Sequence, residues 1–100
     1  HRVDSAQEIA AIINARTQVS TSNQALIVTN PVEKQMEKAR HDEILASGLA
    51  NAARDGIDGK YVTPYLLEHF HTASKGESLA INTEIIKSNC ALAADIAMAL

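Results

Sequence analysis

The sequence is poor in aromatic residues and in cysteine. It has one phenylalanine, two tyrosines and no tryptophan, so it offers no platform of rings on which nucleic acid bases could stack. Cys90 is the single cysteine, which excludes an intrachain disulfide and is typical of a reducing compartment. The net charge is −3, with acidic and basic residues interspersed. This balance argues against nucleic acid or an anionic membrane as the partner.

Long apolar runs are also absent. No stretch approaches the roughly 18 consecutive apolar residues of a membrane span, and the N-terminus has no signal-peptide pattern. These features predict a cytoplasmic protein without a membrane segment. The 100 residues are enough for one modest domain. Because the chain begins at His1 without a methionine and ends at Leu100 inside an apolar pattern, we expect residues 1–100 to be a portion of a larger domain.

The longest helical pattern occupies the C-terminal end of the chain. Residues 77–100 contain neither glycine nor proline, and their apolar side chains recur in steps of three and four, as on one buried helix face. Ser78 is expected to cap this helix. Asn82 and Asn89 are seven residues apart, and therefore only ~20° apart around the axis, so both amides fall on the apolar face.

A buried amide without a partner costs roughly 1–3 kcal/mol. Asn82 and Asn89 are therefore each expected to form hydrogen bonds, either with neighbouring backbone groups or with a ligand. The spacing alone leaves both interpretations open.

Three other helices are predicted upstream. The first runs from about Ser5 to Arg16, after a capping box formed by Ser5 and Glu8. The second starts near His41 and ends before Gly56. The third is capped by Thr63, with Pro64 in its first position.

A single strand is predicted between the first two helices. Residues 25–29 (Ala-Leu-Ile-Val-Thr) form a continuous apolar run closed by Asn30-Pro31, which favours a strand buried on both faces. Such a strand needs sheet neighbours, and no second strand pattern is present. We therefore expect its partners in another chain or in another part of the same protein.

The ionisable residues do not form a recognisable catalytic or metal site. His69 and His71 are two residues apart on a helix, hence ~200° apart around its axis, and cannot chelate one ion together. Cys90 lies within the long helix and is expected to be packed rather than nucleophilic. Neither a pair of carboxylates in apolar surroundings nor a phosphate-binding glycine loop is found. No residue is assigned a catalytic or metal-binding role.

Four segments nevertheless share a pattern with one known family. They are residues 2–5, 28–31, 59–67 and 76–82, the last reading Gly-Glu-Ser-Leu-Ala-Ile-Asn. In this order and spacing they resemble the C-terminal third of the pseudouridine-5′-phosphate glycosidase family, also called the indigoidine synthase A-like family. The chain departs from the family pattern before the strand, where a glycine pair is replaced, at Glu33, which replaces a proline, and at Ser88, which replaces the first of two asparagines.

The resemblance implies a three-layer α/β/α subunit that assembles as a homotrimer. This segment would be mostly helical, with the one buried strand at about residues 25–29. The family cleaves the C–C glycosidic bond of pseudouridine 5′-phosphate reversibly to uracil and ribose 5-phosphate, a step of nucleotide catabolism. Its catalytic lysine and glutamate, and the aspartate that holds manganese through water, lie upstream of the matched region. The isolated segment is therefore expected to be inactive and to need the remainder of its subunit.

The resemblance also favours one of the two interpretations of Asn82. This residue matches the asparagine of the family motif G-x-S-L-x-x-N, which is expected to hydrogen-bond the uracil ring, because an amide offers both a donor and an acceptor to an imide edge. Asn89 is expected to be structural. The alternative hypothesis is a non-catalytic helical interaction module whose strand completes a partner's sheet.

Overall fold

The computed structural model describes residues 1–100, and all its regular structure is helical. The elements are α1 (Ala6–Gln18), α2 (Lys38–Arg54), a 3-10 turn (Gly59–Tyr61), α3 (Val62–Ala73) and α4 (Glu77–Ala99). The chain divides into two compact units, which are residues 1–31 with 85–100 (unit 1) and residues 32–84 (unit 2). None of the helices combines the length and the apolar character needed to cross a bilayer.

The predicted strand is not formed, and no residue of the chain adopts strand structure. The expected α/β class, with a buried strand at residues 25–29, is therefore wrong for this chain. Ile27 is 84% exposed, and Leu26 and Val28 are 39% and 40% exposed. The reason is that a strand needs a neighbour for its N–H and C=O groups, and these 100 residues contain none. The interaction-module hypothesis relied on that strand, which this chain does not form by itself.

Unit 1 begins with the capping arrangement predicted from Ser5 and Glu8. Ser5 Oγ accepts a hydrogen bond from the Glu8 N–H at 3.2 Å, and the Glu8 carboxylate accepts one from the Asp4 N–H at 2.9 Å. The first bond satisfies an orphan N–H at the start of α1. The second reaches the residue before the N-cap, one position away from the reciprocal bond of a capping box. Ile9 and Ala10, which are 5% and 2% exposed, are the buried apolar residues of this unit.

Unit 2 is built on the packing of α2 against α3. Ile44, Gly48 and Ala52 are the buried residues of α2, and they share one face because they are four apart. Leu49, in the same helix, is 48% exposed. The helix starts at Lys38, before the predicted His41, because the Glu37 carboxylate accepts hydrogen bonds from the first N–H groups of the helix.

The helix ends of unit 2 are closed by left-handed residues. Gly56 has a φ of +68°, and the following N–H, of Ile57, donates to the Ala52 carbonyl at 2.9 Å. This is the αL closure predicted for Gly56. At the end of α3, Lys75 and Gly76 have φ values of +54° and +88°. Two successive left-handed residues turn the chain sharply from α3 into α4.

Two predicted helix caps are wrong. Thr63 does not cap α3, since the helix begins at Val62, directly after the 3-10 turn. Ser78 does not cap α4, which begins at Glu77. Instead the N–H of Ser78 donates to Ser74 Oγ at 3.0 Å. The cap of α4 is therefore supplied from the preceding turn, which the local sequence pattern did not indicate.

Candidate functional site

The candidate binding residue, Asn82, lies in the second turn of α4. Its side chain is exposed and forms no hydrogen bond within the chain. The face on which it was predicted is not fully buried either, because α4 has no buried residue. Leu79, one turn earlier, is 50% exposed. The expectation that these apolar positions form a buried stripe is therefore wrong for this chain, and the amide of Asn82 is available to a partner outside it.

Asn89 has a partner within the chain. Asn30 Nδ2 donates to Asn89 Oδ1 at 3.1 Å and to Ser88 Oγ at 3.0 Å. One amide group thus uses both of its N–H donors to hold the segment after α1 against α4. Ser88, which departs from the family pattern, supplies an acceptor oxygen as an asparagine would. The arrangement agrees with the structural interpretation of Asn89.

The start of α4 is fixed by residues that sequence reasoning did not identify. Ser74 is only 2% exposed, and its hydroxyl accepts the Ser78 N–H while its carbonyl accepts the Glu77 N–H at 3.3 Å. Arg40, from the first turn of α2, donates to the same carbonyl at 3.2 Å and forms an ion pair with Glu77. Arg40 and Glu77 are 37 positions apart in sequence, so no local pattern could have paired them.

A cavity of about 430 Å³ lies beside the first turns of α4. Its lining includes Lys34, Leu79, Ala80 and Thr83 but not Asn82. Ala80 and Asn82 are two residues apart, so they leave the helix ~200° apart. The cavity is therefore separate from the face that carries the amide of Asn82.

The histidines and the cysteine do not add a chemical site. No group of three or more His, Cys, Asp or Glu side chains in the chain is placed to hold a metal ion, so these residues do not fit the manganese that the resemblance implies. His69 Nε2 lies 2.7 Å from Ser47 Oγ, and that hydroxyl also donates to the Ile44 carbonyl. Because the Ser47 hydroxyl donates its proton to that carbonyl, its oxygen accepts a hydrogen bond from His69 Nε2. This bond links α3 to α2. Cys90 is exposed, contrary to the packed thiol expected.

These features are an exposed amide on α4 and a set of contacts that fix the start of that helix. The chain belongs to the indigoidine synthase A-like family, since the family model described as indigoidine synthase A like protein matches residues 1–99. This confirms the resemblance drawn from the four sequence segments.

The curated relatives are named pseudouridine-5′-phosphate glycosidases. The chain is 46% identical to that of Salinispora tropica over 99 residues, which cover 97% of this chain and 31% of the relative. It is 39% identical to that of Saccharopolyspora erythraea over 102 residues, which cover 100% of this chain and 33% of the relative. It is 37% identical to that of Geobacillus kaustophilus over 102 residues, which cover 100% of this chain and 34% of the relative. The chain thus spans about a third of the length of these relatives.

Proposed function

We propose that this chain is the base-recognition part of a pseudouridine-5′-phosphate glycosidase. The reaction is the reversible cleavage of the C–C glycosidic bond of pseudouridine 5′-phosphate, with water, to uracil and ribose 5-phosphate. The support is the family membership, together with the 46% identity to the relative of that name from Salinispora tropica.

The main support for this role is that the side chain of Asn82 is exposed and has no hydrogen-bond partner within the chain. A polar side chain that the fold leaves exposed and unbonded on α4 keeps one acceptor and two donor N–H groups for a ligand. The edge of a uracil ring presents carbonyl acceptors and an N–H donor, so the amide can form two hydrogen bonds with it. The exposed side chain of Leu79 beside it offers an apolar surface for a ring face.

The catalytic groups are proposed to lie in the two thirds of the subunit that this chain does not span. The same holds for manganese, for which this chain provides no ligand cluster. A homotrimer and a cytoplasmic location belong to the same proposal. In this arrangement the chain binds and orients the base, while bond cleavage takes place on groups elsewhere in the subunit.

The test uses a hybrid enzyme, in which this chain replaces the matched third of the Salinispora tropica relative. The hybrid is expected to release uracil from pseudouridine 5′-phosphate. Asn82→Ala should lower its kcat/KM about 30-fold, which corresponds to ~2 kcal/mol for two hydrogen bonds and the unpaired base edge they leave. The fold should be unaffected, because the side chain has no partner within the chain.

Thr83→Ala is the matched control. It removes a polar group from the neighbouring position, but the Thr83 hydroxyl is bonded to the Leu79 carbonyl of its own helix at 2.9 Å. We expect kinetics within about twofold of the unmodified hybrid. Unchanged kinetics of Asn82→Ala would reject base recognition by this residue. A properly folded hybrid that released no uracil would reject the proposed activity.

A further inference from the structure

We propose that Arg40 is a positioning residue that holds the first turn of α4 in place and thereby sets the position of Asn82. This inference rests on the proposed function. It concerns residues of unit 2 alone and starts from the turn between α3 and α4.

The turn between α3 and α4 does not by itself fix the angle at which α4 leaves it. Lys75 and Gly76 both have left-handed φ values, +54° and +88°, and Lys75 pays a steric cost there because it has a Cβ. The turn is held by short-range bonds. Gly76 N–H donates to the His71 carbonyl at 3.0 Å, Glu77 N–H donates to the Ser74 carbonyl, and Ser78 N–H donates to the Ser74 hydroxyl. A turn of this kind leaves the angle of the next helix dependent on contacts from outside.

Arg40 supplies such a contact from another helix. Its guanidinium donates to the Ser74 carbonyl at 3.2 Å and pairs with the Glu77 carboxylate. The same carbonyl accepts the N–H of Glu77, so the three residues form a closed set of bonds across the turn. The planar guanidinium suits this role, since its several N–H donors have a fixed geometry and can serve two acceptors at once.

Asn82 lies far enough from the bonds among Arg40, Ser74 and Glu77 that a small change in the angle of α4 moves its side chain appreciably. Asn82 is five residues beyond Glu77, about 7.5 Å along the helix at about 1.5 Å per residue. A rotation of ~10° at the turn would displace its amide by ~1.3 Å at that distance. Misplacement by about 1 Å is enough to lose much of a directional interaction.

The same geometry predicts that Arg40 contributes little to overall stability. The side chains of Arg40 and Glu77 are 44% and 34% exposed, and ion pairs that exposed are weak. Arg40→Ala should therefore fold, while the start of α4 becomes looser. Positioning and bulk stability can then be separated by experiment.

The first measurement is amide hydrogen exchange on the 100-residue chain itself. Arg40→Ala should speed the exchange of the Ser78 and Ala80 N–H groups about fivefold or more. Lys38→Ala is the matched control, because it removes an exposed ion pair with Asp42 within α2 and should leave these amides unchanged. Equal exchange in the unmodified chain and Arg40→Ala would overturn the proposal, whatever the fate of the proposed function.

The second measurement is kinetic and uses the hybrid enzyme. Arg40→Ala should raise KM about tenfold and leave kcat within about twofold, as expected when binding contacts are lost equally in ground and transition states. A merely structural role would lower the active fraction, and hence the apparent kcat, without raising KM. Arg40→Lys, which can serve one acceptor but not both in the same geometry, should give an intermediate KM.

A double variant connects the effect to Asn82. If Arg40 acts through Asn82, then Arg40→Ala should add nothing to the KM of Asn82→Ala, whereas independent effects would multiply. Multiplying effects, an unchanged KM in Arg40→Ala, or a fall in kcat alone would each overturn the proposal. If the unmodified hybrid were inactive, the proposed function would fail, and the hydrogen-exchange result would decide the positioning of α4.

Discussion

At the scale of single residues, the clearest electrostatic feature joins the end of α2 to α3. Tyr65 Oη donates to Asp55 Oδ2 at 2.8 Å, and Arg54 Nε donates to Asp55 Oδ1 at 3.1 Å. The hydrogen bond from Tyr65, followed by that from Arg54, lowers the pKa of Asp55 from its usual value. The same bond raises the pKa of Tyr65. Both shifts favour the pair as a carboxylate with a neutral phenol.

We predict that Tyr65→Phe moves the pKa of Asp55 back up towards its usual value. In the unmodified chain the folded-state pKa lies below the unfolded value of about 3.9. The stabilisation is therefore complete above that pH and is lost as pH falls through the folded-state pKa. The variant should lose less stability on acidification. An NMR titration of the Asp55 carboxyl carbon checks the shift.

The control for this titration is Tyr61→Phe. Tyr61 is 61% exposed and makes no hydrogen bond to Asp55, so its variant should leave the titration of Asp55 unchanged. An identical Asp55 titration in Tyr65→Phe and the unmodified chain would contradict the assignment of the shift to the Tyr65 hydroxyl.

At the scale of elements, the contact between α2 and α3 depends on Gly48. A Cβ at this position would lie 2.8 Å from His69 Cδ2 and 2.9 Å from Leu66 Cδ2, both closer than van der Waals contact. The missing side chain therefore allows the two helices to approach. His69 cannot move freely to make room, since its ring is bonded to Ser47 on the facing helix.

We predict that Gly48→Ala destabilises unit 2. Overpacking of a helix contact costs typically ~1–3 kcal/mol, while the better helix propensity of alanine returns at most ~1 kcal/mol. A net loss of ~1 kcal/mol is expected, measured by urea unfolding of the chain. Ala50→Gly, at an exposed position of the same helix, calibrates the propensity difference. A Gly48→Ala variant that was more stable than the parent would show that the contact has room for a methyl group.

At the scale of the whole molecule, much apolar surface remains uncovered. The most exposed large apolar residues are Ile27 and Met98, at 84% and 88%. Since the chain spans about a third of the length of its relatives, this surface agrees with the proposal that the remainder of a subunit packs on it.

We predict that the isolated 100-residue chain has no glycosidase activity. Binding of the base alone cannot cleave a C–C bond, because rate acceleration requires reacting groups held close to the substrate. The chain should release no uracil from pseudouridine 5′-phosphate, with or without manganese, under conditions in which the hybrid enzyme does. Uracil release by the isolated chain would contradict the proposal that the catalytic groups lie elsewhere.

Local chemistry made the helices largely predictable. The Ser5 cap of α1 and the left-handed closure at Gly56 were predicted correctly, because each depends on residues close together in sequence. The boundaries of α2 and α4 were not, since the acceptors that begin them come from Glu37, which is not a common capping residue, and from Ser74, which belongs to the preceding turn. Family membership was also contained in the sequence, because four short motifs retained their order and spacing.

The sequence by itself determined the helical segments and the position of Asn82 on α4. Only the tertiary structure decided that residues 25–29 form no strand, that the side chain of Asn82 is exposed, and that Arg40 reaches Glu77 and Ser74. The physical reason is the distance along the sequence between the groups that interact. A cap or a turn is decided by groups a few residues apart, whereas strand pairing, burial and the Arg40 ion pair depend on groups that are far apart in sequence, or missing from it.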